Sequence, residues 1–134
     1  MPSTGAQPIR PGNGPGRILL VEDYANLARL LSLTLSAEGY EVHVAGAKSE
    51  ALCLAREHSF DVVISDLNLP DGSGLDLMRE LKAAGLRGIA LSGSGDPEDV
   101  QRSQAAGFSA HLVKPLEPDE LHAAVQRVLQ QTVS

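Results

Sequence analysis

Tryptophan is absent from these 134 residues, and aromatic side chains make up only 3% of them. A hydrophobic core has to come from Leu, Val, Ile and Ala, within an apolar content of 43% that suits a globular protein. There is one cysteine, Cys53, which excludes an intramolecular disulfide and fits a reducing, cytoplasmic setting. No apolar run approaches the ~20 residues needed to cross a bilayer. The N-terminus lacks a charged head followed by an apolar stretch, so no secretory signal is read there. Positive charge is also scarce, with 11 Lys and Arg against 17 Asp and Glu for a net charge of −6. No basic cluster offsets that deficit, and neither a nucleic-acid nor an anionic-membrane partner is expected.

What is present begins with a segment unlike the rest. Residues 1–16 carry Pro2, Pro8, Pro11 and Pro15 with Gly5, Gly12, Gly14 and Gly16, which reads as a tail or linker with little to bury. Residues 17–131 are long enough for a single packed core, and 132–134 form a short C-terminal tail. Ile18–Val21 and Val62–Ser65 are short apolar runs typical of strands covered on both faces. Glu41–Ala45, Gly88–Leu91 and Ser109–Val113 complete a set of five strands. Helical spacing fills the intervals: Tyr24–Glu38, Ala47–Glu57, Gly74–Ala84 with Leu75, Met78 and Leu81 on one face, Asp96–Ala106, and Glu117 to about Gln131. Gly39, Gly85 and Gly107 stand where left-handed caps are wanted. Asp96-Pro97-Glu98-Asp99 is a helix start with a capping acid and Pro at the first helical position. Strands alternating with helices predict an α/β fold, a flavodoxin-like (βα)5 doubly wound parallel sheet in a three-layer sandwich.

The polar residues fall where those strands end. Glu22 and Asp23 follow the first strand, Asp66 the third, Ser92 the fourth and Lys114 the fifth. In a parallel sheet these ends share one edge, the usual place for a site. Three carboxylates meeting there repel one another unless a cation sits among them. Oxygen donors without Cys or His favour Mg²⁺, and Lys114 adds a compact charge suited to a carboxylate or a phosphate. Acids, Mg²⁺, a lysine and a hydroxyl make up equipment for phosphoryl transfer, with Asp66 as nucleophile. A carboxylate is already ionised at neutral pH, so its attack needs no base.

Leu-Val-Glu-Asp, Ile-Ser-Asp-Leu-Asn-Leu-Pro-Asp-Gly, Ala-Leu-Ser-Gly and Leu-Val-Lys-Pro-Leu occur in this order. Together they make the chain from about Arg17 to Gln131 resemble the receiver domain of two-component response regulators. That resemblance implies Asp66 as phosphoacceptor, Glu22 and Asp23 as the acidic pair serving Mg²⁺, and Asn68 as a further metal ligand through its main-chain carbonyl. It implies Ser92 as a switch hydroxyl, Lys114 pairing with the phosphoryl group, and a cis Lys114–Pro115 peptide. His111 stands where the family often has Tyr or Phe, a ring that changes rotamer on activation, and Ser92-Gly93 replaces the frequent Thr-Ala. A histidine kinase or histidine phosphotransfer protein is the implied donor, and Leu30 and Leu33, off the core stripe of the first helix, are candidates for docking its helical bundle. With no output domain after the last helix and a linker-like head, the chain reads as a stand-alone regulator or, preferentially, the terminal receiver of a hybrid histidine kinase.

Two other functions compete with the phosphoacceptor. A pseudo-receiver, an unphosphorylated interaction scaffold, is disfavoured by the intact acids, Ser92 and Lys114. A Mg²⁺-dependent phosphohydrolase usually carries an acid two residues after its nucleophile, where this chain has Asn68. The expected role is thus a signalling module that assists its own phosphorylation and dephosphorylation, not a turnover enzyme. His43, His58 and His122 show no ligand spacing and are expected at the surface or half-buried. Cys53, among Leu52, Leu54 and Ala55, is expected to fill the core.

Overall fold

Alternation of apolar side chains along the strands divides the core in two. Ile18 and Leu20 pack on one side of the sheet while Leu19 and Val21 pack on the other, and Val62 and Ile64 are separated from Val63 in the same way. This period of two is what a strand buried on both faces requires. The computed structural model describes residues 16–130. The proposed tail up to Pro15, the expected helix end at Gln131 and the segment 132–134 lie outside them.

The elements are β1 (Arg17–Val21), α1 (Ala25–Ala37), β2 (Glu41–Ala45), α2 (Lys48–Glu57), β3 (Val62–Asp66), β4 (Asn68–Leu69), β5 (Gly72–Ser73), α3 (Gly74–Ala83), β6 (Arg87–Ser92), α4 (Pro97–Ala106), β7 (Phe108–Val113) and α5 (Pro118–Gln130). Five strands form one sheet in the order β2-β1-β3-β6-β7, every pairing parallel. Leu31 and Leu35 of α1 and Leu121, Val125 and Val128 of α5 cover one face; Ala51 of α2, Leu77, Met78 and Leu81 of α3 and Ala106 of α4 cover the other. The fold is the three-layer, doubly wound α/β sandwich expected. Each fully buried Leu or Met adds roughly 1.5–3 kcal/mol, so burial on both faces fixes the register of the central strands.

The strand order reverses between β1 and β3, so the chain leaves β1 toward β2 and then crosses to the other side. The helices that follow β1 and β3 therefore lie on opposite faces, and a crevice opens at the carboxyl ends of these two strands. Glu22 and Asp66 stand at that crevice.

Several local expectations are corrected. Asp66 is the last residue of β3, paired with Leu91, rather than the first residue beyond it. The Leu69–Gly72 turn is the tip of a small antiparallel hairpin in which Asn68 pairs with Ser73. On α3 it is Leu77 that joins Met78 and Leu81 in the core, while Leu75 is only half-buried. Cys53 is exposed, its thiol 3.6 Å from the Glu57 carboxylate, because α2 turns only Ala51 fully inward. Asp96 makes no side-chain cap on α4; its own N–H donates to Ser94 Oγ at 3.2 Å. Gly39, Gly85 and Gly107 do take positive φ, 98°, 96° and 116°. As expected, His43 and His58 are half-buried, their rings 4.5 Å apart and both edge-on to Phe60.

Candidate phosphoacceptor and metal site

Each functional side chain is delivered by a strand end. Val21 closes β1, and the N–H of Glu22 donates to the Ala45 carbonyl of β2 at 3.0 Å, which fixes Glu22 against the sheet. Its carboxylate is almost wholly buried, with 2% exposure, and accepts from the N–H of Tyr24 at 3.0 Å. Tyr24 is the N-cap of α1 and has no side-chain cap of its own, so Glu22 partly fills that role. Asp23 beside it is exposed.

Asp66 is brought to the same place by β3 and is 8% exposed. Its Oδ1 accepts from the Asn68 N–H at 3.1 Å, the first turn of the hairpin. Lys114 arrives from the end of β7, where its N–H donates to the Ser92 carbonyl at 2.8 Å. Its ammonium is 2.8 Å from Asp66 Oδ2 and 2.9 Å from Glu22 Oε1. Burial alone would push the Lys114 ammonium down, but its bonds to Asp66 and then Glu22 outweigh that and hold it above the usual lysine range. The Lys114–Pro115 peptide is cis.

One oxygen from each of Glu22, Asp23 and Asp66 lies within 4.8 Å of the others. Three negative groups so close need cations, and one ammonium does not balance them. An all-oxygen donor set suits Mg²⁺, which keeps several waters and takes few protein ligands. Each carboxylate has lone pairs beyond those its present bonds use. The residues therefore fit such an ion.

Ser92 is 8% exposed at the end of β6, but its Oγ accepts from the Ser94 N–H at 3.0 Å. In the present arrangement the hydroxyl is engaged by its own loop. His111 stands on β7, half-buried, with both ring nitrogens occupied by the Ser94 carbonyl and Ser103 Oγ. Leu30 and Leu33 are 56% and 58% exposed on α1. They open on different sides of that helix. Leu30 lines a groove of about 350 Å³ with Tyr24, Leu27, Lys114, Pro115 and Leu116; Leu33 lines another with Glu22, Asp23, Ala28, Arg29 and Val44.

Two residues escaped the sequence reading. Asp71, in the hairpin tip, accepts from the N–H groups of Lys48 and Ser49 at 2.7 and 2.9 Å. It caps α2 from a distant part of the chain, because Ala47 at the N-cap cannot, and the Ser49 and Lys48 N–H groups hold its carboxyl below the usual range. No local pattern reveals a cap supplied from 22 residues away. Gly74 is the second. A Cβ there would lie 2.2 Å from the Asp66 carbonyl and 2.9 Å from Leu67 Cα, so only glycine lets α3 start against the end of β3. Gly74→Ala is expected to destabilise the fold by about 2–3 kcal/mol and to displace Asp66, seen as a lowered urea midpoint together with weakened Mg²⁺ binding in calorimetry. An unchanged midpoint would mean that the hairpin simply yields.

The sequence profile of the response regulator receiver domain matches residues 18–126. The DNA-binding response regulator MtrA of Mycobacterium tuberculosis is 37% identical over 115 residues, covering 85% of this chain and 50% of that protein. The cell cycle transcriptional regulator CtrA of Caulobacter vibrioides is 32% identical over 118 residues, covering 87% and 51%. The chain thus spans about half the length of these two regulators. The chemotaxis response regulator CheY4 of Vibrio cholerae superposes with a TM-score of 0.78 at 34% identity, over 84% of this chain and 97% of that one.

Proposed function

Because the chain belongs to the response regulator receiver domain family, we propose that it accepts a phosphoryl group on Asp66 from a partner phosphohistidine and passes the signal on through the loop that carries Ser92. The observation that carries this reading is the Lys114 ammonium bridging Asp66 and Glu22 at the same strand-end crevice where Asp23 completes an acidic trio.

In this reading an Asp66 carboxylate oxygen forms a bond to phosphorus as the P–N bond to the partner imidazole breaks. The imidazole nitrogen keeps the bonding pair. Glu22, Asp23, Asp66 and the Asn68 carbonyl would hold Mg²⁺, which supplies charge neutralisation for the phosphoryl oxygens. Lys114 then turns from Asp66 Oδ2 to one of those oxygens, exchanging one anionic partner for another. Ser92 gives up the Ser94 N–H and donates its hydroxyl to a second oxygen. His111, at the end of the same path, is where the movement would reach α4. Hydrolysis of the acyl phosphate returns Asp66 to its carboxylate. A receiver of this kind is a signalling module rather than a conventional turnover enzyme.

Incubation with acetyl phosphate and Mg²⁺, followed by intact mass, tests the reading: one phosphoryl group is expected with Mg²⁺ and none with a chelator. A scaffold that is never phosphorylated would show no mass gain under either condition.

The donor is taken to be a histidine kinase or phosphotransfer helix laid across α1, since exposed Leu and Tyr beside a reactive group form an anchor surface. Leu30→Glu is expected to slow phosphotransfer from such a protein about tenfold. Leu33→Glu should slow it as well, because its groove is lined by Glu22 and Asp23 of the acidic trio. Uptake from acetyl phosphate should be unaffected in both. Equal protein-to-protein rates in all three chains would move docking elsewhere. Among the described residues no helix is long and apolar enough to cross a membrane.

A further inference from the structure

The hairpin that begins just after Asp66 has little of its own to hold it. Two residue pairs join β4 to β5, Asn68 with Ser73 and Leu69 with Gly72, and so short a two-stranded ladder is not stable alone. Between Asn68 and Ser73, Leu69 alone is buried, in the core cluster that also holds Ala51 of α2. Asn68, Pro70, Asp71 and Gly72 are exposed. The base of the hairpin is fastened by main-chain donors: Asn68 N–H to Asp66 Oδ1 at 3.1 Å, Leu67 N–H to the Leu91 carbonyl at 3.1 Å, and Gly74 N–H to the Leu67 carbonyl at 2.9 Å. The tip is fastened by Asp71. Each of its carboxylate oxygens takes one N–H from the start of α2, Oδ1 from Lys48 at 2.7 Å and Oδ2 from Ser49 at 2.9 Å.

That fork works in two directions. For α2 it is a cap, because the first N–H groups of a helix have no acceptor within it. For the hairpin it is an anchor on a packed element, and two bonds to successive amides fix the direction of the carboxylate as well as its position. Lys48 adds to the contact. Its stem runs beside Gly72, with Cδ 3.3 Å from where a Cβ would stand, and its ammonium is 3.5 Å from Glu80 of α3. From Asp71 back to Asn68 the chain is stiff, since Pro70 has a fixed φ and confines Leu69 to extended conformations. Burial of Leu69 holds one point of the hairpin but leaves it free to turn about that point. Asp71 holds a second, and with both held the Asn68–Leu69 peptide, which carries the Asn68 carbonyl, has no room to swing.

We propose that Asp71 is a positioning residue for the metal: by clamping the hairpin tip to the start of α2 it sets the direction of the Asn68 carbonyl, and so raises Mg²⁺ affinity from outside the acidic trio. This rests on the reading given above in which that carbonyl serves Mg²⁺. Groups that orient a metal ligand without touching the ion are worth roughly 10–100-fold in affinity.

The test separates the anchor from the cap. Asp71→Ala loses both. Adding Ala47→Asp to it returns a carboxylate at the N-cap itself, where Ala47 already has the extended backbone that a capping residue takes, φ −154° and ψ 161°. The cap and the net charge are then restored, and the hairpin stays untied. Mg²⁺ affinity by calorimetry, the urea midpoint without Mg²⁺ and backbone amide order parameters of the metal-free hairpin are compared with wild type, in about 0.5 M salt to screen the displaced charge. The single variant is expected to lose stability and about tenfold in Mg²⁺ affinity. The double variant should regain the midpoint, while its Mg²⁺ affinity stays about tenfold low and the order parameters from Asn68 to Gly72 fall from about 0.85 to below about 0.6. Affinity and order are both read on folded protein, so they decide the matter whether or not the midpoint recovers fully. Mg²⁺ affinity that returns with the cap, or a hairpin as ordered in the double variant as in wild type, overturns the proposal and leaves Asp71 a helix cap alone. Wild type that binds Mg²⁺ but gains no phosphoryl group from acetyl phosphate overturns the phosphoacceptor reading without touching the role of Asp71. Wild type that binds no Mg²⁺ overturns that role.

Discussion

Asp66→Asn is expected to take up no phosphoryl group from acetyl phosphate or from a phosphohistidine donor, with its fold intact. The first half follows from chemistry: a neutral carboxamide lacks the negative oxygen that would form the acyl phosphate. The second follows from electrostatics. Asn68 N–H still finds a side-chain oxygen to donate to, Lys114 keeps Glu22 at 2.9 Å, and one of three mutually repelling carboxylates is gone. The unfolding midpoint should therefore remain within a few degrees of wild type. Mg²⁺ affinity should drop, because the acidic trio loses one of its three charged members. Intact mass, thermal unfolding and calorimetry measure the three effects. A phosphoryl group still present on the variant would place the acceptor at another residue and remove the proposed function.

Lys114→Met has the other large effect, and it separates stability from chemistry. Glu22, at 2% exposure, loses the cation at 2.9 Å, and Asp66 loses the one at 2.8 Å. Stranding a buried carboxylate costs about 3–5 kcal/mol in full burial. Lys114 keeps 25% of its side chain exposed, so water screens part of the interaction and roughly 2 kcal/mol is the expected loss. Its pH dependence is distinctive. In wild type the lysine contribution is complete below the ordinary lysine value and fades only as pH rises through the raised folded one, leaving it constant across neutral pH. In the variant the uncompensated carboxylates repel, at least one of them holds its proton longer, and the deficit is smaller at pH near 5 than at pH near 8. Mg²⁺ should restore more stability to the variant than it adds to wild type. Urea titrations at both pH values, with and without Mg²⁺, test each part; a deficit unaffected by pH and by Mg²⁺ would show that packing of the lysine stem, not its charge, was lost.

The convergence of the candidate site residues was readable because they are marked locally. Each of Glu22, Asp66, Ser92 and Lys114 follows an apolar run short enough to be a buried strand, and strand ends in a parallel sheet share an edge. The same kind of reasoning failed at Cys53 and Asp96. Helical spacing says which side chains share a face but not how far a short helix turns into the core, so α2 buries Ala51 and leaves Cys53 in solvent. A capping acid in the right place is a propensity; Ser94 Oγ reached the Asp96 N–H, and the Asp96 side chain was not used.

Composition and pattern by themselves determined the parallel α/β sandwich, the core made without tryptophan, and the row of acids and lysine at strand ends, since these depend on periodicities of two and 3.6 that neighbours along the chain set. Only the tertiary structure decided that Lys114 spans Asp66 and Glu22, that Asp71 caps a helix it does not belong to, that Gly74 admits α3 beside Asp66, and that His111 links the Ser92 loop to α4. All four join residues separated along the chain. Their distances depend on how the strand order reverses between β1 and β3 and on which helix covers which face, and these are properties of the packed whole.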